Sequence, residues 1–447
     1  MTPLDAETAA NNALDLEAYW MPFTANRAYR QKPRLLESAN GHYYRDVDGN
    51  KILDAFSGLW TCGLGHSHPR IVEAIQTQAA TLDYAPAFQM GHPKAFQLAE
   101  RACAMAPEGF DHCFFVNSGS EGVDTALKIA LAYHRLNGAA QRSHFVGRVR
   151  AYHGVNFGGM SVGGIPANRM TYGPSLLPNV SHLPATLDLE HNAFSRGQPE
   201  WGLHWAEALN QHVTMHGGQN IAAVIVEPVA GSTGVLVPPI GYLAKLREIC
   251  DQHGILLIFD ETITAWGRVG APFAAQRFGV VPDMITTAKG ITNGAVPLGA
   301  VLIKNEIYQK FMQGPAHAVE FFHGYTYSGH PLAMAAGLAA LEVYEAEGTF
   351  DKARALEPMF EDALHSLRDA PNVIDVRNFG LMGAVELAPR AGAPGARGLD
   401  VLVHCFENGL MIRNAMDILQ FCPFFDTTEQ ELQQTVSIVR KALEAVA

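Results

Sequence analysis

Four short segments carry side chains that could do chemistry together. In MITTAKGITNG (284–294), Lys289 follows an apolar run and precedes Gly290. An amine stripped of water there has a lowered pKa and becomes nucleophilic. The bland alternative is a lysine that snorkels to the surface, but no other charged residue lies between Asp283 and Lys304, which favours burial. In ILLIFDE (255–261), Asp260 ends an apolar run. The carboxyl ends of parallel strands are where α/β proteins bind ligands, and a carboxylate there needs a cationic partner, either on a ligand or on an arginine such as Arg268. In HCFFVNSGSE (112–121), Ser118 and Glu121 have capping-box spacing. A helix starting there offers free N–H groups to a phosphate, Gly119 permits close approach, and Ser120 adds a hydroxyl. An ordinary cap without ligand has the same pattern. In AYHG (151–154), Tyr152 could cover a planar ligand or pack in the core, and His153 could orient a neighbour or be a satisfied core histidine.

Each signal alone is weak. In chain order, however, a phosphate cradle, an aromatic platform, a strand-end carboxylate and a strand-end amine form the set that pyridoxal 5′-phosphate requires. The lysine forms a Schiff base with the aldehyde, the aspartate keeps the pyridine nitrogen protonated, the aromatic ring covers one face, and the helix start holds the phosphate. Neither G-x-x-x-x-G-K-[ST] nor G-x-G-x-x-G after the first strand is present, so a nucleoside triphosphate or nicotinamide site is disfavoured. A cofactor-binding protein without catalysis is disfavoured by the joint presence of Lys289 and Asp260. His66 and His68 (GHSHP) lack further ligands at zinc-like spacing, so no metal is expected.

The elements needed to position these residues follow from periodicity. Apolar runs at His112–Val116, His144–Val149, Ile221–Val226, Ile255–Phe259, Met284–Thr287 and Ala300–Ile303 predict buried strands. Amphipathic patterns over Pro69–Leu82, Pro93–Met105, Ser120–Leu136 and Gly241–His253 predict helices between them. That rhythm predicts an α/β layer with a mostly parallel sheet flanked by helices. Beyond about 330 the order changes. Helices are expected at Leu332–Glu345, Glu357–Leu367, 399–408 and 428–446. Strands are expected near Val373–Arg377, Leu381–Leu387, Leu410–Arg413 and Ile418–Phe421, with a surface loop at 388–398. Short strands at His42–Arg45 and Lys51–Ala55 flank an Asp48-Gly49-Asn50 turn. The expected division is an N-terminal segment, 1–60, joining a small α+β domain at 331–447, around a large cofactor-binding domain at 61–330.

Composition bounds the class. The chain has 447 residues, 48% of them apolar and only 17% charged, so much of it must be buried, part of it against another subunit. A net charge of −12 without a basic cluster disfavours nucleic acid. Six scattered cysteines suit a reducing, cytoplasmic setting. The acidic, polar start MTPLDAETAANNALDLE is unlike a signal peptide, and no apolar run is long enough to span a membrane.

The combined motifs resemble the class III aminotransferases of the fold type I pyridoxal-phosphate enzymes. NSGSE (117–121), YHG (152–154), VEP (226–228), FDE (259–261), AKG (288–290) and GYTYSGHP (324–331) stand in that family's order and spacing. WMPFTANR (20–27) and LWTCG (59–63) resemble the ω-amino acid:pyruvate branch, which includes β-alanine:pyruvate and amine transaminases. The resemblance implies Lys289 as Schiff-base lysine and proton carrier, Asp260 on the pyridine nitrogen, and Tyr152 on the ring. It implies Ser118, Gly119 and Ser120 around the phosphate, with His153, Glu227 and Thr262 beside the cofactor. Thr326 would reach the phosphate of a neighbouring subunit, in a homodimer or dimer of dimers. Leu59, Trp60, Phe88 and Tyr152 would shape the substrate pocket, Phe88 from the partner chain, and Arg413 would bind the carboxylate of pyruvate. The implied reaction is a ping-pong transfer from an ω-amino acid or primary amine to pyruvate. An aminomutase, a racemase, or a transaminase for taurine, 4-aminobutyrate or a diamine is the alternative. The chain departs from the pattern at Thr262 (Val is common), Ala265-Trp266 (Gly-Phe) and Cys422 (Gly).

Overall fold

The computed structural model describes residues 14–447; the first 13 residues, which carry most of the polar start noted above, lie outside it. The chain opens with β1 (Leu36–Asn40), β2 (Tyr43–Asp46) and β3 (Lys51–Asp54), an antiparallel meander. The turn expected at 48–50 forms, and the Asp46 carboxylate accepts from the backbone N–H of Asp48 and of Asn50.

The central sheet holds β4 (His112–Val116), β5 (His144–Arg148), β6 (Val180–Leu183), β7 (Ile221–Val226), β8 (Leu256–Asp260), β9 (Met284–Ala288) and β10 (Gly299–Ile303). Their order is β4-β10-β9-β8-β7-β5-β6. The pairs from β9 through β6 are parallel, while β10 runs antiparallel to both β9 and β4. Every residue of β7, β8 and β9 is buried. Such strands read as continuous apolar runs because helices cover both faces of a parallel sheet. Burying a side chain such as Ile258 or Phe259 is worth about 1.5–3 kcal/mol. The helix Gly119–Leu136 buries Val123, Ala126, Leu127 and Ala130 at helical spacing. The Ala-rich helix Pro331–Ala346 is buried almost all round and packs on Pro69–Thr81 and Pro93–Met105.

The C-terminal strands are β11 (Val373–Phe379), β12 (Met382–Leu387), β13 (Leu410–Met411), β14 (Arg413–Ala415) and β15 (Ile418–Phe421). Four of them form the sheet β11-β12-β15-β14, and β13 pairs in parallel with β3, tying the two ends of the chain together.

Beyond β1 and several short helices that the periodicity did not predict, such as Pro166–Tyr172 and Asn305–Phe311, three differences have a clear cause. The helix expected near Glu357–Leu367 begins at Thr349 and carries Pro358 inside it. Proline usually marks a helix start, which places the expected start beside Pro358 rather than at Thr349. β6 escaped detection because its serine and histidine interrupt the apolar run. In the segment 388–398, the loop gives way to helix at Ala396. No helix among the described residues is long and apolar enough to cross a membrane.

Packing between the sheet and its covering layer is closest at Gly147 of β5, where an added Cβ would lie 1.9 Å from the Val162 carbonyl oxygen. Backbone cannot give way as a flexible side chain can. Gly147→Ala should therefore destabilise the fold by about 2–3 kcal/mol, read as a lower urea midpoint with unchanged m.

Candidate active site

The residues singled out in sequence converge where the parallel strands end. β4 leads into Asn117–Ser120, β5 into Arg150–Gly154, β7 into Glu227, β8 ends at Asp260, and β9 leads into Lys289. Ser118, Gly119, Ser120, Tyr152, His153, Glu227, Asp260, Thr262 and Lys289 all line one cavity of about 320 Å³.

Asp260 is the electrostatic centre. One carboxylate oxygen accepts from Thr286 Oγ1 (3.0 Å) and from the Thr262 N–H (3.1 Å), and the other meets His153 Nδ1 at 2.8 Å. Burial works against the charge, yet the hydrogen bond and charge of His153, together with Thr262, hold the carboxyl below its ordinary range. With Asp260 ionised, His153 Nδ1 must be the donor. The partner is therefore His153, not Arg268, whose guanidinium donates to the Pro423 carbonyl at 2.7 Å.

Lys289 sits just past β9 with φ +52°, a conformation non-glycine residues seldom adopt and one that clusters at functional sites. Burial lowers its amine to about 8, against the opposing pull of Asp260 and Glu227. Glu227, pushed up to about 6 by burial, accepts from the backbone N–H of Tyr152 (2.9 Å) and of Gly231 (3.2 Å). It thus fixes the Tyr152 backbone; among the described residues no hydrogen bond links it to Asp260.

The expected helix cap is present. Ser118 Oγ accepts from the Glu121 N–H at 3.2 Å, and Glu121 accepts from the Asn117 N–H at 2.7 Å. That leaves the first-turn N–H groups of Gly119 and Ser120, which have no intrahelical acceptor, available to an anion in the cavity these residues line. Ser120 Oγ accepts from Val155 N–H at 3.2 Å. A Cβ at Gly119 would come within 2.9 Å of Thr262, and one at Gly154 (φ +86°) within 2.3 Å of Ser120 Oγ. Thr262 Oγ1 and His153 Nε2 are buried without a protein partner. A cradle kept clear by glycines, an anion-binding helix start, a buried carboxylate and an amine of lowered pKa fit pyridoxal phosphate.

A second cavity, of about 770 Å³, shares Lys289 and Tyr152 with the first. Leu59, Trp60 and Arg413 line it, as expected, and so do Phe23 and Arg150, which the sequence reading passed over. Phe88 and Thr326 border neither cavity of their own chain; they stand together elsewhere, with Tyr84 Oη donating to the Thr326 carbonyl at 3.1 Å and Phe88 against Gly324. Thr286 was also missed. Its only sequence signal is a polar residue in an apolar strand, and its function depends on the register that sets it opposite Asp260. Trp266 does not narrow the site. It is buried, donates from Nε1 to Thr287 Oγ1 at 2.7 Å, and packs on Phe273. Cys422 is also buried away from both cavities. His66 Nε2 contacts Asp54 at 2.8 Å.

The amine of lowered pKa has a kinetic consequence. In the cofactor-free chain, Lys289 should capture added pyridoxal phosphate at a rate that rises with pH around a midpoint near 8, because only the deprotonated amine attacks. Stopped-flow absorbance across pH 6–10.5 checks this; a midpoint near 10.5 would mean that burial leaves the amine unshifted.

Comparison with known proteins agrees with this geometry. A family model described as aminotransferase class-III matches residues 24–443. The chain is 56% identical to an omega-aminotransferase of Caulobacter vibrioides, over 97% of this chain and 99% of that protein. It is 49% identical to the beta-alanine–pyruvate aminotransferase of Pseudomonas aeruginosa, over 100% and 99%. The crystal structure of an amine transaminase from an uncultivated Pseudomonas species, in its PLP-bound form, superposes with a TM-score of 0.89 at 33% identity, covering 98% of this chain and 100% of that one. With its sheet ends, cavity and sequence all in agreement, this chain belongs to the class-III aminotransferases.

Proposed function

We propose that the chain transfers an amino group from an ω-amino acid such as β-alanine, or from a primary amine, to pyruvate, in two half-reactions of a ping-pong cycle. The observation that carries this reading is the position of Lys289, at the junction of a phosphate-cradling cavity and an apolar cavity bearing Arg413. The 56% and 49% identities to proteins named for these reactions support it.

Bound pyridoxal phosphate supplies an electron sink for the negative charge that develops on the amine-bearing carbon. Asp260 is the catalytic carboxylate that keeps the pyridine nitrogen protonated. His153 and the hydroxyl of Thr286 hold that carboxylate in place. The N–H groups of Gly119 and Ser120, with the hydroxyls of Ser118 and Ser120, hold the phosphate. Tyr152 would cover the ring, and Thr262, which lies beside Gly119, would stand behind it. Lys289 Nζ would carry the proton taken from the amine-bearing carbon; its lowered pKa suits a base working near neutrality. Leu59, Trp60 and Tyr152 wall the donor pocket, and Arg413 pairs with the carboxylate of pyruvate.

Residues 61–330 form the cofactor-bearing domain and 331–447 the smaller one, which the pairing of β13 with β3 joins to the segment 1–60. A homodimer completes the site. Tyr84 and Tyr327 pack edge to face beside Thr326, Phe88 lies against Gly324 and Phe96 against Gly91, all four exposed, with Phe88 61% and Phe96 71% accessible. Such a patch needs a partner. A second copy covers it and brings Thr326 to its phosphate and Phe88 to its substrate pocket. The six free cysteines suit a reducing cytoplasm.

The cofactor's visible absorption band should disappear when β-alanine is added and return with pyruvate. A band that neither β-alanine nor any primary amine perturbs would overturn this function. Lys289→Ala should retain folded protein but lose at least about a hundredfold in turnover. Sedimentation should give at least twice the 48.4 kDa chain mass, and Phe96→Glu should shift the species toward monomer. A monomeric, fully active wild type would refute the shared site.

A further inference from the structure

Arg413 is not the only guanidinium in the substrate cavity. Arg150, two residues before Tyr152, lines the same cavity from just past the end of β5, whereas Arg413 begins β14. Its backbone is held at φ +63°, a conformation that costs energy for a residue with a Cβ. Two hydrogen bonds fix it there: the Arg150 N–H donates to the Gly164 carbonyl at 2.9 Å, and Thr233 Oγ1 donates to the Arg150 carbonyl at 2.6 Å. The side chain is half-buried, and one terminal nitrogen, Nη2, donates to the Thr233 carbonyl at 2.8 Å. Among the described residues the rest of the guanidinium makes no hydrogen bond.

Among the described residues no carboxylate lies within ion-pair distance of Arg150 or of Arg413. The nearby acids are committed elsewhere. Glu386 pairs with Arg377 at 2.7 Å, and Arg377 also meets Asp375 at 2.5 Å. Asp417 accepts from the N–H groups of Gly395 (2.6 Å) and Gly398 (3.0 Å). Burial and the neighbouring Arg377 both disfavour the charge on Arg150, against a weaker pull from Glu386. A half-buried cation kept strained, under-bonded and without a counter-ion is poised for an anion from outside. The cavity volume of about 770 Å³ falls in the range that encloses drug-sized ligands, far more than a three-carbon amino acid fills.

We propose that Arg150 forms a second carboxylate subsite, which selects linear ω-amino acids longer than β-alanine by holding their carboxylate while the amine lies at Lys289. This rests on the transaminase reading above and adds a donor class to it. Arg413 then serves the short keto acid, and the two substrates of the cycle are recognised by different cations.

The test compares each ω-amino acid from β-alanine to 6-aminohexanoate with the alkylamine of equal chain length, with pyruvate as acceptor. In Arg150→Gln, the ratio of kcat/KM for the acid to that for its amine should fall about tenfold or more for 5-aminopentanoate and 6-aminohexanoate, and by less than threefold for β-alanine. Arg150→Lys should restore most of the ratio, since it keeps the charge. Because each ratio is taken within one variant, a partly unfolded preparation does not mimic the effect. An unchanged ratio, or an equal fall at every chain length, would overturn the subsite. A second readout needs no turnover: the calorimetric dissociation constant of adipate for the holoenzyme should rise about tenfold in Arg150→Gln, while that of propionate should not. If the wild type transaminated none of these donors but adipate still lost affinity in the variant, the function would fall and the anion subsite would stand. If the donors reacted and adipate affinity did not change, the subsite alone would fall.

Discussion

A carboxylate buried at the end of a central strand is costly, and much of this molecule's local design serves to keep Asp260 charged. Moving such a group out of water costs several kcal/mol unless donors replace the lost hydration. Here three donors do so, each from a different element. Thr286 comes from the neighbouring strand, the Thr262 N–H from the turn that follows, and His153 from the loop after β5. Among the described residues its one ion-pair contact is with His153. The carboxylate is thus held in place by hydrogen bonds, with no lysine or arginine beside it at ion-pair distance among the described residues. Loss of sheet register at β8 or β9 would separate Asp260 from Thr286 and remove one of the three.

The same sheet sets Lys289. β9 carries the chain to the cavity, and the backbone then turns through a left-handed residue, with Trp266 packed against Gly290 behind it. The bulky indole, which in sequence looked able to crowd a substrate, instead supports the back of the lysine loop through its bond to Thr287. The second cavity is walled in part by Leu59, Trp60, Arg150 and Arg413. The first cavity is thus lined largely by polar groups, while the second combines apolar side chains with two guanidiniums that form no ion pair among the described residues. Such a division is what a fold needs to vary its ligands while keeping its chemistry.

The parallel layer was legible because strands buried on both faces leave unbroken apolar runs, and the chemistry follows directly after them. Asp260, Lys289 and the Ser118 cap could be named from chain order alone. Other features are written in three dimensions. Thr286 matters only through its register with Asp260. The hydrogen bond between His153 and Asp260 spans more than a hundred residues of sequence. Pro358 concealed the start of a helix whose packing tolerates it. The family motifs implied roles for Phe88 and Thr326, but composition and periodicity did not show that these residues lie together and apart from their own Lys289.

That separation bears on how the site assembles. A single chain can hold Asp260 charged, lower the Lys289 amine and present the helix start, because every donor in those networks is its own. It cannot bury the cluster of Tyr84, Phe88, Phe96 and Tyr327 by itself. The costly electrostatics are thus solved within the subunit, while the aromatic side chains stay on its surface. The order is physically sensible: a buried charge must be satisfied as the sheet forms, whereas an exposed aromatic patch can wait for a partner.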